Sequence, residues 1–234
     1  MKKLHFILVG VFTAGIAHCA TVSWGTNAST GIITTVATGS VALQVGNWIQ
    51  IGYFATLSNA QITTDASTRA GTALLAADFV TFSSGQVNAT QGAGGLFLGN
   101  QTNTGFANQQ IYLWALQSQV NTSLSTAEAS VLQQAIAYVP RLTTPTIGAA
   151  WNFPSDPGTP ITIDAEALTT VGKQILAGTF IPNANNASLA AAGFGASNNA
   201  LQLATVTSVP EPSTLTFGAL AALAAAGARR RRRE

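Results

Sequence analysis

The chain has 234 residues, of which 47% are hydrophobic and only 8% charged, with 22 glycines, one Cys and one Met. These figures exclude a disordered acidic tail, a coiled coil and a disulfide scaffold, and the length suits one domain with short appendages. The net charge of +2 belongs to the ends, because between residues 20 and 208 Arg69, Arg141 and Lys173 face Asp65, Asp78, Glu128, Asp156, Asp164 and Glu166. No cation cluster remains there to displace counterions from a nucleic acid.

Residues 1–20 read as a secretory signal peptide. Lys2 and Lys3 give a positive start, Phe6 to Ile16 an apolar core of 11 residues, and Ala17-His18-Cys19-Ala20 the small residues of a cleavage site. The apolar core is too short to span a bilayer comfortably. Cleavage after Cys19 sets Ala17 and Cys19 in the small positions, whereas cleavage after Ala20 sets His18 in one of them. Either cut removes Met1, His5, His18 and Cys19, and leaves a mature chain without Cys, His or Met. Such a domain has no disulfide to hold it and no imidazole or thiol for chemistry.

Residues 21–208 read as an exported, β-rich domain. Short alternating or apolar runs recur between Gly, Asn, Ser and Thr: Val41 to Val45, Trp48 to Phe54, Phe79 to Phe82, Gly95 to Leu98, Ile161 to Ile163 and Leu201 to Val206. Ile111 to Leu116 is apolar on both faces, which suits a central strand. The pattern predicts an antiparallel β-sandwich or barrel-like sheet with one or two short helices. Ser125-Thr126-Ala127-Glu128 matches a capping box, and Val131, Leu132, Ala135, Ile136 and Val139 follow at helical spacing. This favours a helix from Ala127 to about Tyr138, with a strand over Ala135 to Val139 as the competitor. A short helical turn is expected over Ala70 to Ala77.

Catalytic constellations are hard to find. A Ser/His/Asp or Cys/His set is excluded from the mature domain for want of His and Cys, and the zinc, copper and haem sites built on those ligands go with it. Gly92-Ala93-Gly94-Gly95 and Gly172-Lys173-Gln174 lack the spacing of phosphate-binding loops and read as turns. Asp156, Asp164 and Glu166 form an acidic cluster, with Asp164 and Glu166 on one face of a strand. Solvated strand ends are the favoured reading, ahead of a calcium site or a glycosidase pair. The domain is therefore expected to have no catalysis and to need no cofactor or metal.

Residues 209–234 carry the sharpest motif. Pro210, Glu211 and Pro212 precede an uncharged run over residues 213–228, and Arg229, Arg230, Arg231, Arg232 and Arg233 with Glu234 close the chain. The run is short for a transmembrane helix, so it would span with bilayer thinning and snorkelling arginines. The basic tail would stay in the cytoplasm with the domain outside. Pro210 and Pro212 fix φ and remove amide donors, which keeps a processing site extended.

This three-part end resembles the PEP-CTERM sorting signal of Gram-negative bacteria. The resemblance implies processing by an exosortase, a membrane-bound cysteine transpeptidase-like enzyme, in bacteria that make exopolysaccharide. It implies a protein exported across the inner membrane, held there by the C-terminal helix, and destined for the surface or the extracellular matrix. Gln110 to Trp114 with Trp151 to Pro154 loosely resembles the exported domains that accompany this signal. In that setting Trp48, Tyr53, Trp114 and Trp151 are candidates for stacking on exopolysaccharide rings, with Trp24 also considered. A structural role is the favoured reading, and a carbohydrate-binding module is the alternative.

Overall fold

The structure, a computed structural model, describes residues 19–25, 30–87, 98–140, 151–154, 161–169 and 172–208. Within them the chain is mainly β with a few short helices. A three-stranded sheet has the order β6 (Leu98–Thr104), β1 (Cys19–Gly25), β9 (Ile161–Asp164). A four-stranded sheet has the order β11 (Thr179–Ile181), β12 (Asn199–Gln202), β2 (Thr30–Val36), β3 (Gly39–Ala42). The largest sheet runs β10 (Gln174–Ala177), β8 (Val131–Tyr138), β7 (Tyr112–Ser118), β4 (Trp48–Phe54), β5 (Phe79–Gln86), and β13 (Ala204–Thr205) also pairs with β8.

The central place of β7 follows from its composition. Tyr112 to Leu116 is buried throughout, and its neighbours β4 and β8 cover both edges. Strand β4 covers the run expected for it, and β5 extends the one beginning at Phe79. Antiparallel pairing is the rule with two exceptions, because β1 pairs with β9 and β2 with β12 in parallel. Both join strands far apart in sequence, and a single-sequence alternation pattern carries no information on such pairs.

Among the described residues four α-helices lie between the strands: α1 (Asn59–Asp65), α2 (Arg69–Asp78), α3 (Leu124–Ala129) and α4 (Ala187–Ala191). Helix α2 covers the predicted helical turn. The predicted helix from Ala127 to Tyr138 is wrong: it is the end of α3 followed by β8. Residues from Gln134 to Tyr138 are all buried, so both faces are apolar and the spacing has no true helical period. β-branched and aromatic residues then favour the extended chain between two partner strands. The capping box is shifted too. Ser123 accepts from the amide of Thr126, and Thr126 returns the bond, so Ser125 and Glu128 are not the pair.

Strand β3 ends at Ala42, and Val45 is 52% exposed, so Val41 to Val45 is not one strand. Residues Gly95 to Phe97 and the glycines 92–95 lie outside the described residues. Strand β1 begins at Cys19, where Cys19 pairs with Thr104 and Ala20 with Asn103. The two last residues of the expected signal peptide thus stand in register with β6.

One hydrophobic core joins the three-stranded and the largest sheets, with Val22, Trp24 and Ile163 from one and Ile49, Ile51, Phe82 and Trp114 from the other. Its centre is aromatic, and Phe82 meets Phe106 and Phe153 at centroid distances of 5.0 and 4.7 Å. A second, smaller core under α4 gathers Ile33, Ala42, Leu189, Ala192, Phe194 and Ala200.

The four-stranded and largest sheets are stitched by their shared connections. Between β10 and β11 the chain changes sheets at Gly178, with φ +88 and room for no side chain: a Cβ there would sit 2.4 Å from the Gln202 carbonyl oxygen. Gln133 on β8 acts as a stub of strand, its Oε1 accepting from the Thr35 amide at 2.9 Å and its Nε2 donating to the Thr35 carbonyl at 2.6 Å.

Candidate functional site

The described fold runs to the border of the C-terminal signal. Leu203 N–H donates to the Ile33 carbonyl at 2.9 Å, and Val206 N–H to the Leu132 carbonyl at 2.8 Å. Thr207 is tied at three points: its amide and its hydroxyl donate to the Ser67 carbonyl, each at 3.0 Å, while its carbonyl accepts from Arg69 N–H at 3.0 Å. The anchor is the turn between α1 and α2, where Thr68 caps α2 by accepting from Gly71 N–H at 3.0 Å. Sequence reading overlooked this clamp. The Thr68 cap before α2 was its one legible sign.

The chain leaves at one end of the largest sheet, and that end has a distinct character. Gln119 N–H donates to the Ser130 carbonyl, and Val120 exchanges bonds with the Ser130 hydroxyl. Asn47 Oδ1 accepts from Ser118 N–H at 3.2 Å, and Trp48 Nε1 donates to the Asn121 carbonyl at 3.2 Å. Gln86 Nε2 joins the Gly46 and Asn121 carbonyls at 3.0 and 2.8 Å. Amides thus lock the β3–β4 loop, the end of β5 and the β7–α3 loop together. On this frame Val45, Val120 and Leu132 are 52, 44 and 38% exposed, and Trp48 is half-buried. No charged residue occurs in segments 43–48, 86–87, 118–123, 130–132 or 205–207. The buried Asn121 Oδ1 has no partner among the described residues.

Deeper in, polar groups are spent on holding elements together. Gln134, fully buried, accepts from Trp114 Nε1 at 2.8 Å and donates to the Ala66 carbonyl and the Thr72 hydroxyl at 2.8 and 2.9 Å. Gln50, also fully buried, donates to Glu128 Oε1 at 2.9 Å and accepts from the Thr81 hydroxyl at 2.9 Å. Burial pushes the Glu128 carboxyl above its usual range, and the Gln50 bond only partly offsets this. Asn59 links two phenols, accepting from Tyr112 at 2.9 Å and donating to Tyr138 at 2.7 Å. Burial, with Tyr138 beside it, raises Tyr112 to about 12, so it stays a neutral donor. Asp78 moves the other way: burial pushes its carboxyl up, but bonds from the Thr56 hydroxyl and the Thr56, Leu57 and Ala55 amides hold it lower.

The four aromatic candidates separate. Trp114 and Trp151 are 0 and 1% exposed and offer no ring face to a sugar, so the stacking expectation fails for them. Both sit in the shared core, Trp114 on β7, which is packed on both faces, and Trp151 in a segment outside the strands. Trp24, 2% exposed, is core as well. Trp48 and Tyr53 are half-buried, with Tyr53 edge-on to Phe106 at 5.5 Å. Asp164 ends β9 while Glu166 lies in a 3-10 turn over Ala165–Thr169, so they do not share a strand face. Asp156, Pro210 to Pro212, the run 213–228 and Arg229 to Arg233 lie outside the described residues, as does most of the segment expected to be a signal peptide. Gly172, with φ +93, sits in a turn, as its sequence suggests. Among the described residues no helix is long and apolar enough to cross a membrane, and no group of three His, Cys, Asp or Glu side chains could hold a metal.

Comparison with known proteins separates the two parts of the chain. No curated protein and no solved structure matches it. The family model described as the PEP-CTERM protein-sorting motif matches residues 208–233, beginning one residue after the clamped Thr207. Residues 208–233 are thus a PEP-CTERM protein-sorting motif, a signal that implies export and C-terminal processing or membrane anchoring.

Proposed function

We propose that the chain is an exported structural protein of the cell surface or extracellular matrix, built from a sandwich-type β domain at 21–208 between a signal peptide at 1–20 and a sorting signal at 209–234. An exosortase is its processing enzyme, and the membrane holds it until processing through the run at 213–228. The observation that carries this reading is the sorting motif at 208–233, fused without a spacer to a domain clamped shut at Thr207. Gln134, Gln50, Asn59, Glu128 and Asp78 are each committed to partners within the fold, which supports a domain without catalysis of its own.

A carbohydrate-binding module is the second reading. It is favoured by one place, the half-buried Trp48 beside Asn121, where an aromatic face and amide groups adjoin as they do in sugar sites. Isothermal titration of the purified domain against the host's own exopolysaccharide separates the two. The structural reading expects no saturable heat. Saturable heat that Trp48→Ala abolishes establishes the module instead.

A further inference from the structure

The end of the largest sheet from which the chain departs carries exposed Val45, Val120 and Leu132 on a rigid amide frame, with Arg69 bonded to Thr207 at the exit, and the run proposed to enter the membrane follows almost at once. From Thr207 to Ser213 the chain has six residues, which reach at most about 20 Å when extended. A compact domain of this length is about 40 Å across. A tether half that length cannot carry the far side of the domain to the bilayer. It confines the lipid surface to the side around Thr207, where Leu132 is bonded to Val206 and Val120 to Ser130, two residues before Leu132.

We propose that this end, with Val45, Trp48, Val120 and Leu132, is a lipid-facing surface that rests on the bilayer while the C-terminal segment holds the protein there. The inference rests on the membrane-held reading above. The chemistry fits an interface. Valine and leucine side chains gain by entering the headgroup boundary, and an indole with its N–H already bonded suits the same depth. The segments that carry these four side chains hold no charged residue, so entry of the four requires no ion to be desolvated, and Arg69 beside Thr207 is the cation nearest the exit. The amide frame fixes the four side chains on one end, so each contact is made without ordering a loop.

The mature chain has no Cys, which allows single labels. Full-length protein with Cys19→Ala carries Val120→Cys, Leu132→Cys or Gln109→Cys, each labelled with a solvatochromic dye. It is reconstituted in vesicles of phosphatidylethanolamine and phosphatidylglycerol. Gln109 is exposed and precedes β7, at the opposite end of that strand from Val120. Dyes at Val120 and Leu132 are expected to shift blue and to be quenched severalfold more by headgroup spin labels than the dye at Gln109. A flexible 20-residue Gly-Ser insert after Ser208 should erase that difference while the protein still sediments with the vesicles. Sedimentation without differential quenching overturns the lipid-facing surface alone. Failure to sediment overturns the membrane-held reading and this surface with it. A blue shift at Val120 that persists without vesicles assigns the surface to a second copy of the chain, and a shift produced by exopolysaccharide assigns it to that polymer.

Discussion

Gln134 shows what a single buried amide does here. It stands on β8 and satisfies Trp114 of β7, the carbonyl at the end of α1 and the hydroxyl of Thr72 in α2, so one residue fastens both helices to the sheet. Gln134→Leu fills much of the volume but leaves an indole N–H and a carbonyl unpaired in the core. A loss of about 3 kcal/mol is expected in urea unfolding, with an unchanged denaturant slope. Glu128 makes the opposite case. Its folded pKa lies above its unfolded one, so between those values the native state holds the extra proton and stability falls as pH rises. Glu128→Gln keeps a partner for Gln50 and removes the charge. Its melting temperature should exceed that of the parent at neutral pH, with the advantage shrinking as pH falls through the raised folded pKa and gone below about pH 4. An advantage equal at all pH values would refute the linkage. Neither role is legible in sequence, since a Gln in an apolar run and a Glu in a short helix look like solvated residues until their partners are known.

Short apolar runs such as Ile111 to Leu116 were readable as strands, and the reading failed where a capping-box match preceded apolar residues at apparent helical spacing. Trp48 to Phe54 alternates and became β4, whereas 131–138 is buried on nearly every position and imitated a helix. Short connections that move the chain between sheets left a fainter trace, a glycine among many. At Gly178 the left-handed φ and the 2.4 Å approach to the Gln202 carbonyl both forbid a side chain. Gly178→Ala is expected to cost more than about 2 kcal/mol by thermal unfolding, against less than about 0.5 kcal/mol for Ala204→Ser on the partly exposed β13. The Gln133 clamp is a milder joint. Gln133→Ala loses two bonds to the Thr35 backbone at a partly exposed site, so about 1–2 kcal/mol is expected, together with faster amide exchange at Thr35.

At the scale of the whole molecule, sorting and folding meet at Thr207. The sequence alone carried the sorting half, because Pro210-Glu211-Pro212, an apolar run and five arginines form a linear signal that needs no fold to be read. Each arginine costs about 2.5–3.5 kcal/mol at mid-membrane, so the block should stop transfer. Replacing Arg229 to Arg233 with serine should release full-length protein in the soluble exported fraction. Replacing Pro210, Glu211 and Pro212 with alanine should leave insertion intact and let the unprocessed form accumulate in membranes. Blots of the two fractions for tail-containing protein test both, and normal maturation of the second variant would reduce the motif to a linker. The clamp at Ser67–Arg69, the partner of that signal, needed three-dimensional neighbours to appear. The parallel pairing of β2 with β12 sets a clock on all of this. A chain threaded lengthwise across a membrane delivers β2 first and β12 nearly last, so the early strand must wait, unpaired on one side, for almost the entire passage. The domain can close only as residues 199–207 arrive, ahead of the run at 213–228 and the arginines expected to halt the chain, so any holding factor for the unfinished domain has to act before that point.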